Sequence, residues 1–210
     1  MIPYSLDSGI RRQVMVLLVL CSICFSQLFE NTIIQLIVNY VLEGAWLKDE
    51  NVIVIFQIIV ELILPPFLAW YVLCLLFFKV CWKWPIAKAL HGIPDLSGIW
   101  EGCTVSDKNP TKKRSVTVHI KQDWNRIMVR TYMNDTAKER CIQSFCECTV
   151  AGINVGDGKA KLMYAYRNSL LGSTSYVGYN ELQIEENRIV GQYITTKPSK
   201  GLFEIRKCKK

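Results

Sequence analysis

The chain has 210 residues, with 25 Lys/Arg, 18 Asp/Glu and 2 His, and a formal charge of +7 at pH 7. That length holds one ordinary domain and an appendage. Six basic and six acidic residues lie between Met1 and His91, so the whole excess belongs to the remainder, where nineteen basic residues face twelve acidic ones. A basic second half points to an anionic partner such as a nucleotide or a lipid headgroup, against the alternative of an ordinary solvated surface.

Two apolar runs dominate the first half. Val14 to Phe29 carries no charge, and if Glu30 is admitted the run continues to Leu42; Asn51 to Phe78 contains only Glu61. A bilayer core needs about 20 helical residues, so two transmembrane helices are expected, over about 14–42 and 52–82. Gln27, Asn31, Gln35, Asn39 and Glu43 recur at i+4 and form one polar row, which calls for a protein partner and predicts self-association through the helices. Gln57 and Glu61 repeat the spacing, and Pro65-Pro66 removes the amides that would bond the carbonyls of Glu61 and Leu62, predicting a kink. Carboxylates at membrane depth are costly, so Glu30 and Glu61 face a bundle interior or a wet cavity. The competing arrangement places them at the interface, with amphipathic pieces such as Asn31 to Leu42 lying on the membrane lipids. Arg11 and Arg12 precede the first run, and Lys79, Lys83 and Lys88 follow the second. The positive-inside rule therefore puts both termini of a multi-pass membrane protein in the cytoplasm. A cleaved signal peptide, with Arg11-Arg12 as its basic end and Val14 to Ser26 as its apolar segment, is the rival reading.

Nine cysteines are an odd number, and Cys21, Cys24, Cys74 and Cys81 sit inside the apolar runs, which fits a reducing compartment better than a disulfide framework. Cys146 and Cys148 share a strand face, with Cys103 and Cys141 available, but no CxxC pair or histidine accompanies them, and no metal or cofactor is expected.

After Pro94 the periodicity changes to two. Eight strands are expected, at Ile99–Ser106, Ser115–Lys121, Arg126–Met133, Ile142–Ala151, Lys159–Arg167, Ser173–Glu185, Arg188–Thr195 and Gly201–Lys207. Asn134-Asp135, Gly156-Asp157-Gly158, Glu186-Asn187 and Pro198-Ser199 supply the turns. The fold class is thus a membrane helical hairpin over 1–91 and an all-β domain over 92–210, an eight-stranded antiparallel up-and-down barrel rather than a sandwich. Barrels of that size can hold one small ligand.

Alternation places Trp100, Gly102, Thr104 and Ser106 inside on the first strand, Leu162, Tyr164 and Tyr166 on the fifth, Tyr176, Gly178, Asn180 and Leu182 on the sixth, and Gly191, Tyr193 and Thr195 on the seventh. One end is then apolar and the other polar. The candidate ligand residues are Thr104, Ser106, Arg130, Tyr164, Tyr166, Tyr176, Asn180 and Tyr193. Arg130 joins them if its strand follows Met128 inward, whereas Ile127, Val129 and Thr131 claim the same face equally well. Tyrosines offer stacking surfaces for bases, and hydroxyls and Arg can donate to phosphates. Aromatic rows of this kind also fill cores. No catalytic residue is proposed: His91 lies in the linker, His119 alternates outward, and GxSxG, HExxH and P-loop motifs do not occur.

Gly98-Ile99-Trp100 with Arg206 near the C-terminus is similar to the lipocalin signature, in which a first-strand Trp is covered by a C-terminal Arg. Two spans, a short linker, "DLSGIWEG" at Asp95 to Gly102 and the closing "IVGQYITTKPSKGLFEIRK" together resemble the SMODS-associating two-transmembrane, β-strand-rich effectors of bacterial CBASS antiphage systems, over nearly the whole chain. That resemblance implies a lipocalin-like barrel that senses a cyclic di- or oligonucleotide second messenger, and spans that then assemble and disrupt the inner membrane, with no direct binding of DNA or RNA. The lipocalin signature alone implies instead a membrane-tethered carrier of an apolar small ligand.

Overall fold

A computed structural model describes residues 1–5, 8–43, 64–134, 142–156, 159–170, 175–197 and 199–208. In chain order these form β1 (Ile2–Ser5), α1 (Ser8–Glu43), α2 (Leu64–Lys79), a 3-10 turn (Cys81–Lys83), α3 (Pro85–His91), β2 (Gly98–Ser106), β3 (Asn109–Gln122), β4 (Arg126–Asn134), β5 (Ile142–Gly156), β6 (Lys159–Leu170), β7 (Tyr176–Ile184), β8 (Arg188–Thr195) and β9 (Ser199–Lys207). They separate into two units, Met1–Ser8 with Lys83–Lys210, and Gly9–Trp82. The division therefore falls at Lys83 rather than after His91, and the N-terminal tail, grouped by sequence with the membrane half, belongs to the β unit.

In the helical unit, α1 runs for 36 residues, about 54 Å at the usual rise, well beyond the bilayer core. Gly9–Ser26 is long and apolar enough to cross a membrane. Val16, Leu17, Leu20 and Ile23 are exposed along it. Ser22 and Ser26 turn their hydroxyls back onto the carbonyls of Val19 and Ile23, each at 2.7 Å, which removes a polar group from an apolar face. The backbone of α1 is helical through Gln27, Asn31, Gln35, Asn39 and Glu43, as an i+4 row requires, and the side chains of that row lie outside the described residues. Helix α2 opens on Pro65 and Pro66, in the first turn, where an amide has no intrahelical acceptor. Its apolar part, Pro66–Lys79, is shorter than a full span. The connecting turn, Gln57, Glu61 and most of the second apolar run lie outside the described residues.

Each strand from β2 to β9 pairs antiparallel with the next, and β9 returns to β2, so the sheet closes as a barrel. The expected strands are all present and most have longer ends: β3 begins at Asn109, because Asp107 and Lys108 make the turn from β2, and β5 continues to Gly156, whereas β7, expected over Ser173–Glu185, runs only from Tyr176 to Ile184. Val116, Val118 and Ile120 on β3, Ile127 and Val129 on β4, Leu162, Leu182, Ile189 and Ile205 fill one end. Each such side chain contributes about 1.5–3 kcal/mol on burial.

Trp100 is 1% exposed at that end, donating its Nε1–H to the Leu96 carbonyl at 2.9 Å. The cation over its ring is Lys207, with Nζ 5.4 Å from the centroid, not Arg206. The pairing explains the shift of one residue: Lys207 is opposite Trp100 and Arg206 opposite Glu101, so Arg206 faces outward, where it pairs with Glu204 at 3.4 Å.

The segment leading into the barrel plugs this end with buried Ile93 and Leu96. His91 Nδ1 accepts the Ile93 amide at 2.9 Å, and its ring meets Trp124 edge-on at 5.0 Å. Strand β1 fills a wedge in the wall. β4 and β5 pair directly only over Arg130–Asn134 and Ile142–Glu147. Beyond that they separate around β1, with Ile2 opposite Ile127 on one side and Tyr4 opposite Ala151 on the other. Buried Gln122 ties the plug to β1, its Oε1 accepting the Leu96 amide at 2.9 Å and its Nε2 donating to the Tyr4 hydroxyl at 3.4 Å.

Candidate ligand-binding site

The other end of the barrel is open. A cavity of about 280 Å³ lies there, lined by Thr104, Arg114, Thr131, Met133, Cys146, Tyr164, Tyr166, Tyr176, Asn180, Tyr193, Thr195, Lys197, Ser199 and Phe203. Strand pitch sets the depth: Thr104 is opposite Phe203, Tyr164 opposite Asn180, and Asn180 opposite Tyr193, while Thr195 and Ser199 face each other at the rim.

Of the eight residues expected from alternation, Thr104, Tyr164, Tyr166, Tyr176, Asn180 and Tyr193 line this cavity. Ser106 does not line it, but its Oγ is hydrogen-bonded at 3.3 Å to that of Ser199, which does. Arg130 is on the outer face, paired with Glu147 at 3.1 Å and 5.9 Å above the Phe145 ring. Its expected inward course fails because Ile127, Val129 and Thr131 take the interior, in register with Gln122, Ile120 and Val118. His119 is half-buried on the same outer face, its ring against Tyr132.

The cations of the open end are Arg114 and Lys197, neither anticipated. Arg114 continues the inward alternation of Val116, Val118 and Ile120 back toward the rim, and was missed because β3 was expected to start at Ser115. Lys197 sits in the β8–β9 turn with Nζ 5.3 Å from the Tyr176 ring centroid. Thr131, Met133 and Cys146 were legible in principle, as inward positions of strands whose facing was left open.

Buried hydrogen bonds hold the tyrosines. Asn168, with no exposure, donates Nδ2 to the Tyr176 hydroxyl and to Cys146 Sγ, both at 2.9 Å. Tyr166 reaches across to Gly178, where a Cβ would stand 2.3 Å from its Cζ, so only glycine leaves room for the phenol. Burial pushes the hydroxyls of Tyr164 and Tyr166 well above the usual phenol range, and that of Tyr176 up to about 12. They are neutral at physiological pH, able both to donate and to accept. Burial likewise pushes the thiols of Cys146 and Cys148 up to about 12, which keeps them from acting as thiolates.

A barrel sealed by its own core at one end, with stacking rings, hydroxyls, a buried amide and two cations at the other, is a receptor module for a small anionic ligand bearing flat rings. Residues 91–207, more than half of the chain, match the family model "Cap15, cyclic dinucleotide receptor domain". The chain belongs to this family of CBASS membrane effectors, and its barrel is the cyclic-nucleotide-sensing domain. Comparison with curated proteins returned no match. The match begins at His91, the last residue of α3, and ends with β9, so it covers β2 to β9 and leaves out β1, α1 and α2.

Proposed function

We propose that the open end of the barrel is the ligand seat, and that its occupation drives assembly of the membrane helices, disruption of the inner membrane and cell death. The observation that carries this reading is the pairing of Arg114 and Lys197 with Tyr164, Tyr166, Tyr176 and Tyr193 around one cavity. Two cations complement the two phosphodiester charges of a cyclic dinucleotide, and tyrosine faces accept bases. The cavity lies just below the usual range for drug-sized ligands, about 300 to 1,000 Å³. One base enters and the phosphate ring rests at the rim against the cations. An apolar carrier suits this interior less well, since its apolar end is filled by core and its open end is polar.

In the membrane, the two runs span as a hairpin with both termini cytoplasmic, which puts the barrel on the side where a cytoplasmic messenger is made. The polar row from Gln27 to Asn39 is the assembly surface, because amides facing another helix can hydrogen-bond across it for about 0.5 to 2 kcal/mol each. The protein acts by binding and assembly rather than by catalysis.

The test uses the full chain in dye-loaded vesicles, with cyclic di-adenylate, cyclic di-guanylate and cyclic uridylate-adenylate as probes. One probe should release dye and be recovered intact. Tyr176→Ala should weaken its binding by about 1 to 3 kcal/mol. Replacing Gln27, Asn31, Gln35 and Asn39 together by Leu should leave binding unchanged and abolish leakage. Leakage that survives the quadruple change removes the assembly role of the row, and binding indifferent to Tyr176→Ala moves the seat elsewhere.

A further inference from the structure

Two carboxamides inside the barrel each hold an oxygen with no hydrogen-bond partner among the described residues, Asn168 Oδ1 and Asn180 Oδ1. A buried acceptor left unpaired is costly, so each needs an explanation. Asn168 has one in its other atom, which fixes Tyr176 and Cys146, and it does not line the cavity. Asn180 differs: it is 3% exposed and lines the cavity.

Its neighbours define what it meets. On β6 the residue directly opposite Asn180 is Tyr164, and on β8 it is Tyr193, so the carboxamide stands between two tyrosines in one inward row across three strands. A base stacked on a tyrosine ring turns its hydrogen-bonding edge sideways, toward the residue beside the ring. For both tyrosines that residue is Asn180. An asparagine oxygen accepts from the 6-amine of adenine or the 4-amine of cytosine, whereas guanine and uracil carry a keto acceptor at those same positions and their donors, the guanine N1–H and 2-amine and the uracil N3–H, lie further round the ring. The side chains of Asn180 and Thr131 are both hydrogen-bond partners of the Tyr164 hydroxyl, which orients the amide.

We infer that Asn180 is a specificity-determining residue that reads the amino-bearing edge of one base of the bound cyclic dinucleotide, favouring adenine or cytosine over guanine or uracil at that position. The inference rests on the reading that a base enters the open end. Without Asn180 the seat would still stack a base and still bind phosphate, but it would lose its preference.

The experiment compares cyclic di-adenylate with cyclic di-inosinate, which keeps the scaffold and replaces each amine by a keto oxygen, on the full chain in lipid nanodiscs. The unaltered protein should favour the amine probe by roughly ten- to a hundredfold, as expected when a buried acceptor is satisfied by one ligand and not the other. Asn180→Leu should bring the two probes to within about threefold, and Asn180→Ser, which keeps a small polar group should the larger change unfold the barrel, should narrow the gap as well. Tyr164→Ala should weaken both probes alike. Discrimination that survives in Asn180→Leu or Asn180→Ser overturns the inference while leaving the seat in place, as does an unaltered protein that binds both probes equally or prefers the keto probe. If neither probe binds, or binding ignores both Tyr164→Ala and Tyr176→Ala, the base seat itself falls and the inference with it.

Discussion

The plugged and open ends of the barrel are made by the same strands and the same alternation, and they diverge residue by residue along each one. On β7 the inward positions run from Leu182 at the plug through Asn180 and Gly178 to Tyr176 at the rim; on β4 they run from Ile127 and Val129 to Thr131 and Met133. Among the described residues three tryptophans are fully buried, and two of them, Trp100 and Trp124, serve the plug. The buried carboxamide oxygens left without a hydrogen-bond partner and the raised phenols belong to the other end. One end concentrates the burial that keeps the barrel folded, and the other keeps polar groups that cost stability and serve a ligand. Substitutions should therefore separate the two, changing stability without affinity at the plug and affinity with less change in stability at the opening.

The largest effect should come from Trp100→Ala. Removing the indole empties the centre of the plug, abandons the bond to the Leu96 carbonyl and leaves Lys207 without its ring, at a cost of roughly 3–5 kcal/mol. Thermal melts of the full chain should show the barrel unfolded or nearly so; melting like the parent would mean that the plug does not carry the fold.

Much of this division was legible in the sequence. Alternation identified the inward tyrosines and Asn180, because a strand in a closed barrel has one buried face and its period is fixed at two. It failed at Arg130, where both faces of β4 carry large side chains and the choice is made by the partners on β3. It erred by one residue at Arg206 and Lys207, since a sequence does not show which of two adjacent cations a register will place over an indole. It had no access to β1: four residues containing a proline make no strand signal, and their partners Arg126, Ile127, Ala151 and Gly152 are distant in the chain.

Gln122→Leu tests that hidden join. It strands the Leu96 amide and removes one donor from the Tyr4 hydroxyl, which keeps its bond to the Asp123 carbonyl, and should cost about 1–3 kcal/mol with nucleotide affinity unchanged. A parallel loss of affinity would show that the two ends are coupled rather than separate.

At the opening, Gly178→Ala should do the reverse. The new methyl displaces the Tyr166 phenol into the open cavity rather than into packed core, so the cost that overpacking carries in a filled interior is largely avoided. Affinity in titration calorimetry should fall with the melting temperature little changed; an equal fall in both would place Tyr166 in the core rather than in the site.

The smallest effect is on pH dependence. The folded state raises the thiols of Cys146 and Cys148 above 9.0 and the phenol of Tyr176 above 10.0, each up to about 12. Protons are thus held more tightly in the folded chain, and the stability they contribute is complete below those ordinary values and is lost as pH rises through the folded ones. Melting temperature should be level through neutrality and decline between about pH 9 and pH 12, less steeply in Cys146→Ala. At the plug the sign is opposite. Burial alone would raise the Asp95 carboxyl, but hydrogen bonds from Ser97 and Lys83 hold it below the usual carboxylate range. Its contribution is present above the ordinary value of 3.8 and is lost as pH falls through the folded one. For a pair this exposed that amounts to under about 1 kcal/mol.

The location of the ligand is the central claim, and photo-crosslinking addresses it most directly. Irradiation of the full chain with an azido-adenine analogue of cyclic di-adenylate, followed by peptide mapping, should label β6, β7, β8 and the β8–β9 turn at Tyr166, Tyr176, Tyr193 or Lys197, with unlabelled ligand competing. Labelling confined to the outer face around His119, Tyr132 and Phe145, or to the plug around Trp100 and Trp124, would contradict it.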